Sequence, residues 1–298
     1  MSHSHGSTHL GGRHRWRLAV ALVLVASFFG VELAAGLWSG SLALLSDAGH
    51  MAADVVALGA ALAATRIATR PDTTGRRTYG SYRAEVFASG LTVLLMLGAA
   101  AYVGTEAARR LGQEPEVASG PMMVVGGIGL VVNLVALLLL RGGATESINV
   151  KGAYLEVVAD TVGSVGVIVA GVLVARTGQG WWDTVVALAI AVFVLVRALL
   201  LAREVLAVLG QHAPHGLDPA DVEARLREVP GVRDVHDLHL WALTSGMHVA
   251  TAHLVAAPGT SSQAVLEDAR QVMQRRFDIE HATLQVEADA TRCHEMSW

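Results

Sequence analysis

Six long apolar stretches constrain this chain more than any other feature of its sequence. Each reaches the roughly 20 apolar residues that a helix needs to cross a bilayer. The stretches are Trp16–Trp38, Ser41–Thr65, Ala84–Ala108, Ser119–Leu140, Val150–Val174 and Trp182–Leu201. The composition agrees, because 53% of the 298 residues are hydrophobic, more than is typical of soluble domains. The sequence therefore predicts an α-helical membrane protein with six transmembrane helices in a lipid bilayer.

The positive residues between these stretches predict how the chain is oriented. Lysine and arginine are concentrated in the cytoplasmic loops of membrane proteins. One side has Arg109, Arg110 and Arg176, and the other has Arg13, Arg15, Arg17, Arg66, Arg70, Arg76, Arg77, Arg83, Arg141, Lys151 and Arg203. We therefore predict a multi-pass protein of the cell (cytoplasmic) membrane with both termini in the cytoplasm. The net charge of −4 and the absence of a basic block argue against nucleic acid as a partner.

Composition divides the chain into four parts. Residues 1–15 contain His3, His5, His9 and His14 among glycine and serine, a composition that cannot form a core. This tail is either a disordered leader or a loose segment that collects metal. Residues 16–209 form the predicted transmembrane domain, residues 210–290 a cytoplasmic domain, and residues 291–298 a C-terminal tail.

The sequence of the cytoplasmic part predicts a small α+β domain. Asp218 before Pro219 predicts an N-cap followed by proline at the first helical position. Alternating and helical hydrophobic patterns then follow in turn. They predict strands over Val232–Leu243 and Met247–Ala256, a helix over Ser261–Phe277 and a strand over His281–Glu287. The order is αββαβ, in which helices cover one face of a sheet.

Two of the apolar stretches each carry a pair of ionisable residues. His50 and Asp54 are four residues apart in the second span, and Glu156 and Asp160 have the same spacing in the fifth. Residues at this spacing share one helix face, and ionisable residues in hydrocarbon mark functional sites by default. One imidazole and three carboxylates can form a four-ligand cage of the kind that zinc prefers, and manganese, cobalt or cadmium also suit such ligands. Hydrogen bonds between helices without an ion are the alternative, but two matched pairs favour metal.

Other polar residues in the spans have simpler interpretations. We interpret Asp47 as a helix-cap or loop-facing carboxylate, with an exit-path ligand as the alternative. Glu32 and Asn133 are interpreted as hydrogen-bonding partners of neighbouring helices, with a proton relay as the alternative. Small residues flank both ionisable pairs and allow their helices to approach closely. These are Ala48, Gly49, Ala52, Ala53, Gly152, Ala159, Gly163 and Gly166.

The sequence resembles the cation diffusion facilitator family of metal-efflux antiporters, in its bacterial zinc, cobalt and cadmium type. The resemblance rests on Leu44–His50 with Asp54, Arg83–Glu85, Ser147–Ala153, Asp160–Gly166 and Val235–Trp241. It implies a homodimer with a metallochaperone-like cytoplasmic domain, and a transport site formed by His50, Asp54, Glu156 and Asp160. Zinc-transporting relatives usually have histidine at the position of Glu156. We expect zinc as the first substrate because His50 is retained, and we expect Glu156 to influence the choice of metal.

The resemblance also implies a metal site in the cytoplasmic domain. His236 and His253 match family positions that hold metal at the dimer interface, and Glu287 matches an acidic one. His281 lies on the same strand face as Glu287, so we expect a structural zinc at His236, His253, His281 and Glu287. His239 and His248 are interpreted as solvated, while Asp289, Cys293 and His294 are further candidates in the tail. The loop Asp72–Tyr82 is basic and has no histidine, and we expect no metal there.

Metal binding requires deprotonated ligands and releases protons, so protons from outside would expel the ion. We expect a secondary transporter that exports divalent metal in exchange for protons, and not an enzyme. A membrane-anchored metal sensor is the first alternative. An intramembrane metalloenzyme is the second, but the chain has no His-Glu-x-x-His pair, and a cage with four protein ligands leaves no open position for water.

Overall fold

A computed structural model describes residues 15–67, 78–81, 83–113, 115–140, 148–244 and 246–288. Six long helices come first, and a mixed set of shorter elements follows. The long helices are α1 (Arg15–Ser39), α2 (Leu42–Ile67), α3 (Arg83–Arg110), α4 (Ser119–Leu140), α5 (Ile148–Thr177) and α6 (Trp181–Leu209). The shorter elements are α7 (Pro219–Arg227), β1 (Val232–Thr244), β2 (Met247–Ala256), α8 (Ser262–Phe277) and β3 (His281–Glu287).

The six long helices coincide with the six predicted apolar stretches. Within the described ranges, five of them (α1, α3, α4, α5 and α6) are long and apolar enough to cross a membrane. Helix α2 has 26 residues and carries Asp47, His50 and Asp54 along its length. Many large apolar side chains face outward, including Leu94, Val131 and Leu138, which are 66%, 60% and 65% exposed. An apolar exterior of this extent suits lipid rather than water, so the prediction of a helical membrane domain is confirmed.

Small and branched apolar residues form the core between these helices. Helix α1 packs against α2 and α4, α4 packs against α5, and α2 packs against α5. The largest buried cluster contains Leu42, Ala43, Leu44, Val103, Ala107, Met122, Val125, Val167, Ala170, Ala187 and Ala191. The many alanines allow close helix contacts, which bring α2 and α5 together where the site lies.

A buried carboxylate from α6 fixes the start of α2. Asp183 is fully buried and accepts hydrogen bonds from the backbone N–H groups of Leu42 and Ala43, at 2.6 and 3.2 Å, and from Ser41 Oγ at 2.6 Å. Arg110 Nη1 lies 3.7 Å from Asp183 Oδ2 and donates to the Gly40 carbonyl at 3.0 Å. Because the first N–H groups of a helix lack partners within the helix, Asp183 caps α2. No local pattern in the sequence predicts this role.

The cytoplasmic elements form a three-stranded sheet in the order β1-β2-β3. Strands β1 and β2 are antiparallel, and β2 and β3 are parallel. The predicted N-cap of α7 is confirmed, since Asp218 accepts from the Ala220 N–H at 3.0 Å. Residues from both helices and all three strands share one core, namely Val222, Leu226, Val229, Val235, Leu240, Ala250, Ala252, Leu254, Val265, Ala269, Met273 and Ile279. The predicted αββαβ order is confirmed.

The described residues group into two compact units. One contains the greater part of the six long helices, and the other contains the αββαβ elements. The division falls between residues 202 and 203, inside the continuous helix α6, whereas the composition placed it at residues 209 and 210. Composition marks where polarity changes, at the end of α6, whereas the last turns of α6 already group with the second unit.

Candidate metal centre

Helices α2 and α5 bring three of the four predicted transport ligands together. His50 Nε2 lies 3.1 Å from Asp160 Oδ1 and 3.7 Å from Asp54 Oδ2. One ligand atom from each of the three residues lies within 4.8 Å of the others. Because His50 and Asp54 are one turn apart on α2, both face Asp160 on α5. The geometry is that of a metal site built across two helices.

The hydrogen bonding of this cluster is incomplete in a way that fits an ion. His50 is 4% exposed, and among the described atoms Asp160 Oδ1, which faces His50 Nε2, has no hydrogen-bond partner. Buried polar atoms without partners are rare in native structures, and a bound ion is one of the usual reasons for them. The partly exposed side chains of Asp54 and Asp160, at 15% and 24%, give the cluster a route to solvent.

The fourth predicted ligand is Glu156, which belongs to helix α5 one turn before Asp160. Its side chain lies outside the described part of the structure. Its place in the transport site therefore stays a prediction from the four-residue spacing and from the family resemblance.

A positive side chain from α6 also reaches the cluster. Arg197 Nη1 lies 3.0 Å from His50 Nε2, and its guanidinium carbon lies 5.8 Å from the centre of the Phe193 ring. Arg197 is a charged residue inside the sixth apolar stretch, and such charges mark functional sites. It was nevertheless not among the predicted site residues. It is separated from His50 by 147 residues along the chain, so no local pattern connects the two.

Glycines on α2 and α5 allow the close packing around the cluster. A Cβ atom at Gly163 of α5 would lie 2.8 Å from Asp47 Oδ1, and one at Gly49 of α2 would lie 2.7 Å from Ala99 Cβ of α3. Real Cβ atoms do not approach so closely, and the Gly49 contact is with a short side chain that cannot move away. The prediction that small residues let α2 and α5 approach is therefore confirmed at Gly163, while Gly49 allows α2 to approach α3.

A second polar layer lies next to the metal-ligand cluster. Asp47 is buried, and its carboxylate lies close to that of Glu32 on α1 and against Gly163 of α5. The interpretation of Asp47 as a helix-cap or loop-facing carboxylate is therefore wrong, because the residue lies within α2 and faces α1 and α5. Asn133 Nδ2 donates to Ser164 Oγ at 3.3 Å. Asn133 thus bonds a neighbouring helix as predicted, while the hydrogen-bonding role of Glu32 stays a prediction.

The cytoplasmic domain contains a second cluster, with one ligand from each strand. His236 and His253 are directly paired across β1 and β2. His253 Nδ1 lies 3.0 Å from Glu287 Oε1, and His236 Nε2 lies 3.6 Å from Glu287 Oε2. Ligand atoms of the three residues lie within 4.8 Å of one another. His236 Nε2 is buried and has no hydrogen-bond partner among the described atoms, which again fits an ion.

The fourth residue predicted for this cluster, His281, is not brought to it. His281 is paired with Val249, whereas Glu287 is paired with Val255, so six residues of β3 separate them. At about 3.3 Å per residue the separation is roughly 20 Å. Sequence alternation correctly placed both residues on one face, but a shared face does not imply a shared position along the strand. The prediction that His281 is a ligand in this cluster is therefore wrong.

Asp237, which lies between His236 and His239 in β1, is closer to this cluster than His281 is. It has a φ of 52° in an irregular part of β1, where the pairing shifts between His236 and His239. Its carboxylate lies 3.0 Å from His239 Nε2 and 3.8 Å from His253 Nε2. His239 is 53% exposed, in agreement with its interpretation as solvated. The bulge that places Asp237 there has no clear sequence signature.

Several predictions fall outside the described residues. They concern the histidine-containing tail (residues 1–14), most of the loop Asp72–Tyr82, and the C-terminal candidates Asp289, Cys293 and His294. They stay predictions.

The fold and its clusters define the class of protein. The long helices carry a cluster of side chains that could hold a metal ion, and the αββαβ domain carries a second such cluster. A family model described as the cation efflux transmembrane domain matches residues 18–209, and one described as the cation efflux protein, cytoplasmic domain, matches residues 214–289. The chain belongs to the cation efflux family, the cation diffusion facilitators that its motifs resemble. It is therefore a multi-pass membrane transporter with a cytoplasmic C-terminal domain, and not an enzyme, as expected.

Characterised relatives align with almost the whole chain. The metal cation efflux system protein CzcD of Cupriavidus metallidurans is 42% identical over 288 residues, which cover 96% of this chain and 90% of that protein. The cadmium, cobalt and zinc/H(+)-K(+) antiporter of Bacillus subtilis is 32% identical over 290 residues, 96% and 93% of the two chains. Zinc transporter ZitB of Escherichia coli is 36% identical over 296 residues, 98% and 93%.

A solved structure of the metal-bound C-terminal domain of the Cupriavidus metallidurans CzcD transporter also matches. It is 42% identical to this chain, covers 24% of it and 99% of the solved chain, and has a TM-score of 0.23.

Proposed function

We propose that this protein exports a divalent metal ion from the cytoplasm in exchange for protons, with zinc as the first substrate. The observation that carries the proposal is the cluster of His50, Asp54 and Asp160 within the membrane helices of a cation efflux protein. The names of its relatives include zinc, cadmium and cobalt. Cobalt and cadmium are further candidate substrates because they occur in those names, and manganese is another because carboxylate oxygens suit harder ions than zinc.

Four side chains form the proposed transport site: His50, Asp54, Asp160 and Glu156. The three described ligands already converge, and Glu156 is one helical turn from Asp160 on α5, at the same spacing as His50 and Asp54. Four ligands satisfy the coordination that zinc prefers. The set contains three carboxylates, so the charge of the loaded site depends on which other charges lie nearby.

The exchange with protons follows from the chemistry of the ligands. A carboxylate or an imidazole binds metal only when deprotonated, so metal and protons compete for the same atoms. His50 is the natural titrating member, since an unperturbed imidazole has a pKa near 6.5. Acid on the outer side favours release of the metal, and the near-neutral cytoplasm favours its binding. The proposed location is the cell membrane, with both termini in the cytoplasm.

In the cytoplasmic domain we infer a structural divalent metal held by His236, His253 and Glu287. Two nitrogens and one oxygen suit zinc, and three protein ligands leave one coordination position for a further donor. The chain is inferred to form a homodimer through this domain, on the strength of the family to which the domain belongs. Metal that binds only the native state would stabilise the domain.

Zinc uptake into sealed proteoliposomes tests the transport proposal. Vesicles with an acidic lumen should take up zinc faster than vesicles with matched pH, because luminal protons displace the bound ion. Asp54→Ala should abolish the proton-driven component. Glu204→Ala is the matched control, since Glu204 is an exposed carboxylate on α6, and it should behave as wild type. Equal uptake with and without the pH gradient would contradict the exchange with protons.

A further inference from the structure

The transport site contains a fixed cation of the protein. Arg197 extends from α6, half-buried, and its Nη1 lies 3.0 Å from His50 Nε2. An arginine in the apolar interior is expensive unless it has a partner. Because the guanidinium stays protonated in proteins, this charge is present whether or not a metal ion is bound.

The contact with Arg197 determines which nitrogen of His50 accepts a hydrogen bond. A guanidinium has only donors, so His50 Nε2 must be the acceptor in this hydrogen bond and its lone pair points toward Arg197. A metal ion needs a lone pair on the imidazole nitrogen that faces the ligand set. Asp54 and Asp160 face the same Nε2, at 3.7 and 3.1 Å. Arg197 and the metal therefore compete for one nitrogen lone pair.

The charges of the site support the same conclusion. If Asp54, Glu156 and Asp160 are ionised, the ligands carry three negative charges, and Arg197 reduces the total to two. A divalent ion then makes the loaded site neutral. Without Arg197 the empty ligand set would carry three negative charges instead of two and would attract a divalent ion more strongly, and the loaded site would keep one negative charge.

We propose that Arg197 is a resident cation of the transport site. It occupies the His50 Nε2 lone pair while the metal is absent, leaves that nitrogen when the metal enters, and neutralises the third carboxylate of the loaded site. Arg197 is thus a positioning and affinity-setting residue and not a metal ligand. The inference rests on the proposed transport of a divalent ion at His50, Asp54, Glu156 and Asp160.

A purely structural role for Arg197 makes the opposite prediction. If the side chain only anchored α6, for example through its contact with Phe193, its removal would loosen the site and weaken metal binding. If it competes with the metal, its removal strengthens metal binding and slows release.

The test measures zinc uptake in proteoliposomes for full-length Arg197→Gln, with KM and kcat determined separately. We expect KM to fall about tenfold, which corresponds to about 1.4 kcal/mol and to the loss of one hydrogen bond of ordinary strength. We expect kcat to fall as well, because release becomes slower. Arg203→Gln, an exposed arginine on the same helix, is the control and should match wild type. An unchanged or increased KM for Arg197→Gln would overturn the proposal.

Two further variants separate charge from structure. Arg197→Lys keeps the positive charge, so its KM should stay within about threefold of wild type. This is less than the tenfold change expected for the loss of one hydrogen bond. A KM equal to that of Arg197→Gln would refute a role for the charge. Glu156→His combined with Arg197→Gln leaves two carboxylates and no arginine, so a divalent ion again makes the site neutral. This double variant should have a higher kcat than Arg197→Gln alone, and an equal or lower kcat would overturn the proposal.

The same measurements distinguish this inference from the proposed function. If Asp54→Ala takes up zinc as wild type does, the assignment of the transport site is wrong. If Asp54→Ala abolishes uptake while Arg197→Gln fails to lower KM, only the role of Arg197 is wrong. Zinc binding to the detergent-purified Arg197→Gln variant reports on the competition even if the variant reconstitutes poorly, because tighter binding is expected there too.

Discussion

Removal of the Asp183 carboxylate should destabilise the membrane domain more than removal of any exposed carboxylate. Asp183 is fully buried and caps α2 through Leu42 N–H, Ala43 N–H and Ser41 Oγ. In Asp183→Ala these donors lose their acceptor in a place where water cannot replace it. Arg110, 3.7 Å from the Asp183 carboxylate, also loses its buried counter-charge.

The expected loss can be estimated from these contacts. Loss of an N-cap costs about 0.5–2 kcal/mol, and removal of one partner of a buried ion pair costs about 3–5 kcal/mol. The two overlap because one carboxylate provides both, so we expect about 3–5 kcal/mol for Asp183→Ala. At about 2–4 °C per kcal/mol for a domain of this size, the unfolding temperature should fall by about 10 °C. Asp183→Asn keeps one acceptor oxygen, so its unfolding temperature should lie between those of Asp183→Ala and wild type.

Thermal unfolding of the full-length protein in detergent, at one fixed scan rate, measures this loss. A fixed rate is needed because unfolding of such proteins is commonly irreversible. Glu106→Gln is the matched control, since Glu106 also pairs with Arg110 but its side chain is 27% exposed. Exposed pairs contribute at most about 1 kcal/mol. The reasoning would be refuted if Asp183→Ala shifted the unfolding temperature no more than Glu106→Gln does.

Three other predictions concern the metal sites and the close packing. Glu156→His should narrow transport toward zinc, since it replaces an anionic oxygen by a neutral nitrogen; an unchanged zinc-to-manganese uptake ratio would show that Glu156 does not set selectivity. Zinc at about 100 times its Kd should stabilise the isolated domain of residues 211–298 by about 2.7 kcal/mol, seen as a thermal shift that His236→Ala abolishes and His281→Ala does not. Gly163→Ala should slow zinc uptake, because its Cβ would lie 2.8 Å from Asp47 Oδ1, whereas Gly98→Ala, which meets no atom within 4 Å, should have no effect.

Local periodicity accounts for the features that the sequence predicted correctly. The four-residue spacing of His50 and Asp54 placed both on one face of α2, and the apolar length of the stretches defined the long helices. The αββαβ order followed from local signals such as Asp218-Pro219 and the alternation in β3. Each of these depends on residues close together in the chain, so a single sequence contains the necessary information.

Contacts between distant elements account for what the sequence did not predict. Asp183 and Arg197 both lie on α6 and act on α2, more than 130 residues earlier in the chain. Asp183 begins a helix, where acidic residues are common, so nothing distinguished it from an ordinary first-turn residue. His281 shows the converse error, because periodicity defines the face of a strand but the register with its neighbour defines the position along it.

The two contacts from α6 also bear on how the site works. Asp183 holds α2 at its first residues through hydrogen bonds that no water can replace, whereas Arg197 holds it at His50 through a bond that the metal must displace. Metal binding should therefore release α6 from α2 only at the site. Ser46 Oγ lies 3.4 Å from the Ala187 carbonyl oxygen between these two contacts, so the two helices are close there. A short thiol cross-linker can be tested on Ser46→Cys combined with Ala187→Cys in a Cys293→Ser background, which has no other cysteine. Because the contact near Asp183 persists, the bridged protein should still take up zinc. Loss of uptake on bridging, restored when a reducible linker is cleaved, would show instead that α2 and α6 separate along their whole interface during transport.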